Sequence, residues 1–271
     1  MPKTSSKLKA GKNAELSLKR KDEEGISLLT LNRPSAHNSL NLELLHLLQK
    51  ELKEIAKDTS VSTVIISGEG KSFCSGHDLL ELRKMSSVSE YKSIFSLCSN
   101  IMQRINELPQ PVIAQVNGIA TAAGCQLVAT CDLAIASDKA QFCTPGVNIG
   151  LFCSTPMVAL SRNIPIKKSL EMLLTGEYIN SQTALEWGLI NQVVSEQNLE
   201  KQTKVLAKKI SSKSRHTIKT GKKAFYKQLN MNLSDAYAYT SQIMADNMLS
   251  QDANEGISSF IEKREPSWNH E

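Results

Sequence analysis

Two glycine-containing turns carry the residues that could do chemistry. The first, Ser72-Phe73-Cys74-Ser75-Gly76-His77-Asp78-Leu79, follows a β-branched run ending near Ile66 and leads into a short helical pattern that Asp78 is placed to cap. The second, Val116-Asn117-Gly118-Ile119-Ala120-Thr121-Ala122-Ala123-Gly124-Cys125-Gln126-Leu127, also follows a strand pattern and runs into a helix of small residues. Gly76 permits a tight turn, so the amide of His77 can point outward at a helix start, and small side chains leave the amides of the second turn unobstructed. Two backbone N–H groups from separate helix starts, if they converge, stabilise the negative charge that develops on a carbonyl oxygen as it is attacked or enolises. One such turn says little, because ordinary loops contain them. The pair carries the expectation.

Other reactive side chains have competing uses. His77 could titrate near neutral pH and act as a base, but an amide aimed at a carbonyl turns its own side chain away, which favours a structural or ligand-contacting histidine. Cys143 and Cys153 could supply a thiol nucleophile, yet no histidine is adjacent in sequence to activate either, and buried cysteines usually serve as small core residues. The six cysteines, Cys74, Cys98, Cys125, Cys131, Cys143 and Cys153, form no C-x-x-C pair and have no histidines at ligand spacing, so no metal or redox pair is signalled and a reducing compartment fits. Asp78 reads as a helix cap and Asp132 as a strand-end turn residue. Thr144, Asn148 and Ser154 place hydroxyl and amide groups in one loop. Asn38, after a proline turn, is expected to bond local backbone, Trp187 before Gly188 to pack at a helix end, and Trp268 to cover a subunit contact.

The elements that must position these turns alternate. Leu16 and Leu18, then Ile26, Leu28, Leu29 and Leu31 around a Glu-Glu-Gly turn, predict a hairpin. Asn41 caps a helix with apolar positions Leu44, Leu45, Leu48, Leu52 and Ile55, and Val61 to Ile66 follows as a strand. The pattern repeats as a helix from about Ser89 to Glu107, a strand Val112 to Val116, a helix from about Ala122 and a strand Leu133 to Ala136, which implies an α/β layered core. After Val194 only helical spacing remains. The organisation predicted is a tail or targeting segment over 1–14, lysine- and serine-containing without acidic residues, an α/β core over 15–198 and a helical segment over 199–271.

With 41% hydrophobic and 22% charged residues the composition is that of an ordinary globular chain, and no apolar run approaches the roughly 18 residues needed to span a bilayer. The net charge of +5 is modest and its lysines are dispersed, which fits an anionic small molecule better than nucleic acid.

At this point the segments Leu31-Asn32-Arg33-Pro34 with Asn38, the Phe73-to-Leu79 turn, Pro111-Val112-Ile113-Ala114-Gln115-Val116-Asn117-Gly118, Cys131-Asp132-Leu133-Ala134-Ile135-Ala136, and Leu173-Leu174-Thr175-Gly176 with Ala184-Leu185-Glu186-Trp187-Gly188-Leu189-Ile190 resemble the enoyl-CoA hydratase/isomerase (crotonase) family in its usual order. The resemblance runs from about Leu16 to Trp268 and implies a spiral of ββα units with a helical C-terminal trimerisation segment. It implies an acyl-CoA thioester as ligand or substrate with no further cofactor, a homotrimer or hexamer, a mitochondrial location in fatty-acid metabolism, and neither nucleic acid nor membrane as partner. The amides of His77 and Ala123 would form the oxyanion hole. Arg33, Asp78, Leu79 and Leu80 would line the acyl-CoA path, and Phe260 with Lys263 would reach a neighbouring subunit's CoA.

The same resemblance exposes a departure. The two glutamates with which the family hydrates its substrate fall at Gln126, which cannot accept a proton near neutral pH, and at Gly146, which has no side chain. Losing one such group typically costs about 10² to 10⁴ in rate, so the chain is expected to bind and polarise a thioester with little hydration. The stretch Thr144-Pro145-x-x-Asn148-x-Gly150 resembles that of family decarboxylases, leaving decarboxylation or hydrolysis of a narrower thioester, or a non-catalytic interaction role, as alternatives. Glutamates restored at 126 and 146 together should raise hydration if the hole is intact.

Overall fold

The computed structural model describes residues 16–270; segment 1–14 lies outside them. Strands β1 (Leu18–Glu23) and β2 (Ile26–Leu31) pair antiparallel through Glu24 and Gly25, both at positive φ, the backbone a two-residue hairpin turn demands. Helix α1 (Leu42–Ile55) begins where the Asn41 side chain accepts from the Leu44 amide at 3.0 Å, and its buried residues are Leu44, Leu45, Leu48, Leu52 and Ile55, the set its spacing predicts.

Two passes of the ββα unit follow. The first is β3 (Thr63–Gly68), β4 (Ser72–Cys74), the short α2 (Leu79–Leu82) and α3 (Val88–Glu107). The Ser87 and Glu90 side chains start α3 by a reciprocal capping box. The second is β5 (Val112–Val116), β6 (Ile119–Thr121) and α4 (Ala123–Thr130). Strands β7 (Leu133–Ser137) and β8 (Gln141–Cys143) then lead to α5 (Pro156–Asn163), α6 (Ile166–Thr175), β9 (Ile179–Asn180), α7 (Ser181–Trp187) and β10 (Gln192–Val194). Each pass gives one strand to each of two sheets, ordered β1-β2-β3-β5-β7-β10 and β4-β6-β8-β9, which is the expected spiral.

Differences from the sequence reading are local. Val61 is buried but lies ahead of the ladder, because Ser62 and Thr63 both donate to the Gly25 carbonyl and the strand starts there. The second sheet was invisible in the sequence: strands of two or three residues are too short to show an alternating pattern.

Helix α8 (Leu199–Ser211) closes the other face of the large sheet, with Ala207 against Ile26, Ile65 and Ile113. Helices α9 (Arg215–Gln228), α10 (Leu233–Met248) and α11 (Gln251–Glu262) complete the chain. Helix α9 is fastened by a buried junction. Lys222 Nζ donates to Asp132 Oδ2 at 2.6 Å and to the carbonyls of Ile105 and Gln110, while Tyr226 donates to Asp132 Oδ1 at 2.8 Å. Asp132 also accepts from the Val112 amide, so the strand-end role expected for it extends to anchoring a helix 90 residues on. Trp268 packs within its own chain, its indole donating to the Ser212 carbonyl and its ring lying against Gly256.

Candidate active site

The turn after β4 is built around a second segment. Leu40 pairs with His77 in an isolated parallel bridge, in which Leu40 N–H donates to the Gly76 carbonyl and Asp78 N–H to the Leu40 carbonyl. In such a bridge the flanking residues bond the partner and the central residue's own N–H faces the other way. The His77 amide therefore has no acceptor among the described residues. The 33–40 segment is itself braced by Asn38, fully buried at φ 54°, whose Oδ1 accepts from Arg33 N–H while its Nδ2 donates to the carbonyls of Glu69 and Ser72. The Asn38 contacts are thus long-range as well as local.

The turn after β6 reaches α4 through Ala122 at φ 50° and ψ −118°, a backbone conformation that costs a non-glycine residue of order 1–3 kcal/mol and marks an over-determined turn. The Ala122 amide is held by the Cys143 carbonyl at 2.9 Å, and the Ala123 amide, first in α4, is unbonded among the described residues. Both turns interlock. A β-carbon on Gly76 would lie 2.8 Å from Ala122 Cβ and 3.2 Å from the Ala123 nitrogen, and one on Gly124 would lie 2.0 Å from the Cys74 carbonyl oxygen. Only glycine allows this approach, and it sets the His77 and Ala123 amides on adjoining backbone, each with its donor unspent.

The remaining sequence-predicted residues divide into those gathered here and those elsewhere. Gln126, in the first turn of α4, is 4% exposed and its Oε1 has no donor. Thr144, beyond β8, is fully buried with an unpartnered Oγ1. The His77 imidazole stands edge-on to Phe95 at 5.2 Å with both ring nitrogens buried, and burial, outweighing a contact with the Leu40 backbone, draws its pKa down to about 4. It is neutral at pH 7. Asp78 caps α2 by accepting from Leu80 and Glu81. Burial raises its carboxyl, but the Arg33 guanidinium at 2.9 Å and those two amides outweigh burial and hold it below the usual carboxylate range. Arg33 also donates to Ser39, so its charge braces the turn from within. Leu79 and Leu80 are exposed beside it. Phe260, 85% exposed, and Lys263 lie at the end of α11, whose neighbours are α9 and α10.

Gly146 is packed without room for a side chain. A β-carbon there would meet the Leu151 carbonyl oxygen at 2.7 Å and Cys153 Sγ at 2.9 Å, and the Leu151 amide bonds the Gly146 carbonyl at 2.9 Å. A glutamate introduced at 146 would therefore have to displace the Leu151 carbonyl and Cys153 before it could act.

All six cysteines are free and buried. Burial pushes the thiols of Cys74, Cys98 and Cys143 up to about 12 and raises those of Cys125, Cys131 and Cys153, which leaves little thiolate for nucleophilic attack. No group of three or more His, Cys, Asp or Glu residues suited to a metal occurs among the described residues, and no described helix is long and apolar enough to cross a membrane.

The profile of the enoyl-CoA hydratase/isomerase family matches residues 21–271, and the chain belongs to that family and has its crotonase fold. Among its relatives, enoyl-CoA hydratase domain-containing protein 3, mitochondrial, of Mus musculus is 50% identical over 250 residues, covering 92% of this chain and 83% of that protein. The crystal structure of human enoyl Coenzyme A hydratase domain-containing protein 3 superposes with a TM-score of 0.91 at 48% identity, covering 93% of this chain and all of the other. That of an enoyl-CoA hydratase of Mycobacterium smegmatis gives 0.92 at 46% identity, covering 94% and 99%.

Proposed function

We propose that this chain binds an acyl-CoA thioester in mitochondrial fatty-acid metabolism, polarises its carbonyl between the His77 and Ala123 amides, and hydrates enoyl-CoA little or not at all. The observation that carries the reading is the contact between the two glycine turns with both donors unspent. Preorganised donors of this kind favour negative charge on a carbonyl oxygen in a water-poor site. Gln126 and Gly146 occupy the positions at which the family places its glutamates, so no carboxylate is supplied for proton transfer there. Arg33 and Asp78 hold the first turn rigid, Leu79 and Leu80 offer apolar surface to the ligand, and Phe260 with Lys263 extends towards a neighbouring subunit of a trimer or hexamer. The names of the relatives support the mitochondrial assignment.

A second reading, decarboxylation of an acyl-CoA that bears a carboxylate, is favoured by the unpartnered Thr144 hydroxyl. A hydroxyl donor and an enolate hole can serve that reaction without a strong base. Thiol-based hydrolysis is disfavoured by the raised cysteines.

An acyl-CoA panel followed by mass spectrometry tests these readings together. Retention of intact thioesters with hydration several orders below a competent hydratase is the expected result, and loss of carbon dioxide from one member selects the second reading. Crotonyl-CoA turnover at ordinary enzymatic speed, or failure to retain any thioester, overturns the proposal.

A further inference from the structure

The two free amides differ in what stands behind them. A trans peptide is planar, with its C=O and N–H pointing opposite ways, so whatever holds the carbonyl also aims the amide. The Ala123 amide shares its peptide group with the Ala122 carbonyl, which accepts from the Gln126 amide at 3.0 Å in the first turn of α4. The His77 amide shares its peptide group with the Gly76 carbonyl, and that carbonyl accepts from Leu40 N–H at 2.7 Å. Leu40 N–H in turn shares its peptide group with the Ser39 carbonyl, which accepts from Arg33 Nη1. Two peptide groups in series therefore join the Arg33 guanidinium to the His77 donor.

The head of this series is fixed. Arg33 Nη1 also donates to Ser39 Oγ at 3.0 Å, and Nη2 donates to Asp78 Oδ2 at 2.9 Å, which keeps the guanidinium on Ser39 while tempering its charge. The middle is fixed as well. Segment 37–40 lies alongside 75–78, with Ser75 N–H donating to the His37 carbonyl at 3.0 Å and Asp78 N–H to the Leu40 carbonyl at 3.1 Å. His37 and Asn38 make the bend at φ 50° and 54°, left-handed values that non-glycine residues hold only where the surroundings over-determine them. The hydrogen bonds of the buried Asn38 to Arg33, Glu69 and Ser72 supply that determination.

Hydrogen bonds in series polarise one another, by about 10–30% per bond, and a cation at the donor end acts in the same sense at every link. Electron density drawn towards Arg33 through the Ser39 carbonyl makes Leu40 N–H a stronger donor, and the Gly76 carbonyl passes the effect to His77 N–H.

We propose that Arg33 is a positioning residue that aims and strengthens the His77 donor through these two peptide groups, without touching the ligand. The proposal rests on the thioester reading above and sets Arg33 behind the carbonyl-binding amide rather than along the ligand path.

Calorimetric titration of the full chain with butyryl-CoA and with S-butyl-CoA, a thioether that lacks the carbonyl, tests this. Wild type should prefer the thioester about tenfold or more. Arg33→Gln should cut that preference about three- to tenfold, the worth of one hydrogen bond, and the carbonyl stretch of the bound thioester should move back towards its value in water. Arg33→Lys keeps a cation but not the fork that spans Ser39 and Asp78, so it should cut the preference less, and it serves the comparison if the glutamine chain does not fold. Tyr226→Phe, which loosens the α9 junction, should lower stability and leave the preference in place. A preference untouched by the Arg33 variants overturns the proposal. So does equal weakening of thioester and thioether, which would make Arg33 a ligand contact, or a fall as large in Tyr226→Phe, which would make the effect one of stability. A wild-type chain with no thioester preference overturns the thioester reading itself, and the Arg33 proposal with it.

Discussion

The buried polar groups at the α9 junction and those around the two turns are treated by the fold in opposite ways. At the junction Asp132 accepts from Val112, Lys222 and Tyr226, and Lys222 spends three donors on three oxygens. At the turns and beside them, the amides of His77 and Ala123, the Gln126 carbonyl and the Thr144 hydroxyl have no partner among the described residues. Folded proteins satisfy nearly all buried polar groups, so each unsatisfied one calls for an explanation, and for those at the turns the proposed thioester site supplies it. The contrast separates a structural joint from the proposed binding site.

The largest expected effect is at the joint. Asp132→Ala leaves Lys222, 7% exposed, as an uncompensated buried charge and should cost about 3–5 kcal/mol in urea unfolding, with acyl-CoA retention per folded molecule intact. A loss under about 1 kcal/mol would show that α9 is fastened some other way.

Acid should act through His77. Its folded pKa of about 4 lies below the ordinary 6.5, so the unfolded chain binds the proton more readily. Stability should therefore be fully present above pH 6.5 and fall as pH drops towards 4, by on the order of 3 kcal/mol for this residue. His77→Phe should flatten that limb of the urea midpoint against pH; parallel profiles for the two chains would remove His77 as the cause.

Gly146→Ala should cost about 1–3 kcal/mol because the added methyl meets the Leu151 carbonyl and Cys153. The double change Gln126→Glu with Gly146→Glu should give no hydratase gain, and a folded double variant that hydrates crotonyl-CoA would disprove the closed loop. Smallest is Thr144→Val, which removes an unpartnered hydroxyl. It should leave the free chain within about 1 kcal/mol of wild type, on the stabilising side, while weakening thioester retention. Destabilisation without change in retention would return Thr144 to the core.

Much of this was legible in the residues. The α1 face, the Asn41 and Asp78 caps and the hairpin at Gly25 follow from short-range spacing and side-chain reach, which sequence records directly. The resemblance sets Arg33 on the acyl-CoA path, but its ion pair with Asp78, 45 residues away, carries no local signal. Ser39, which no motif singled out, became visible only when its carbonyl was seen to take the Arg33 guanidinium.

The sequence by itself determined the family, the alternation of strands and helices, and the absence of glutamate at 126 and 146, because identity and periodicity are properties of the linear chain. Only the tertiary structure decided that Gly76 and Gly124 bring two turns into backbone contact, that the loop closes over Gly146, and that Leu40 takes the Gly76 carbonyl and so aims the His77 amide. Those are distances between residues far apart in the chain, fixed by the packing of whole elements.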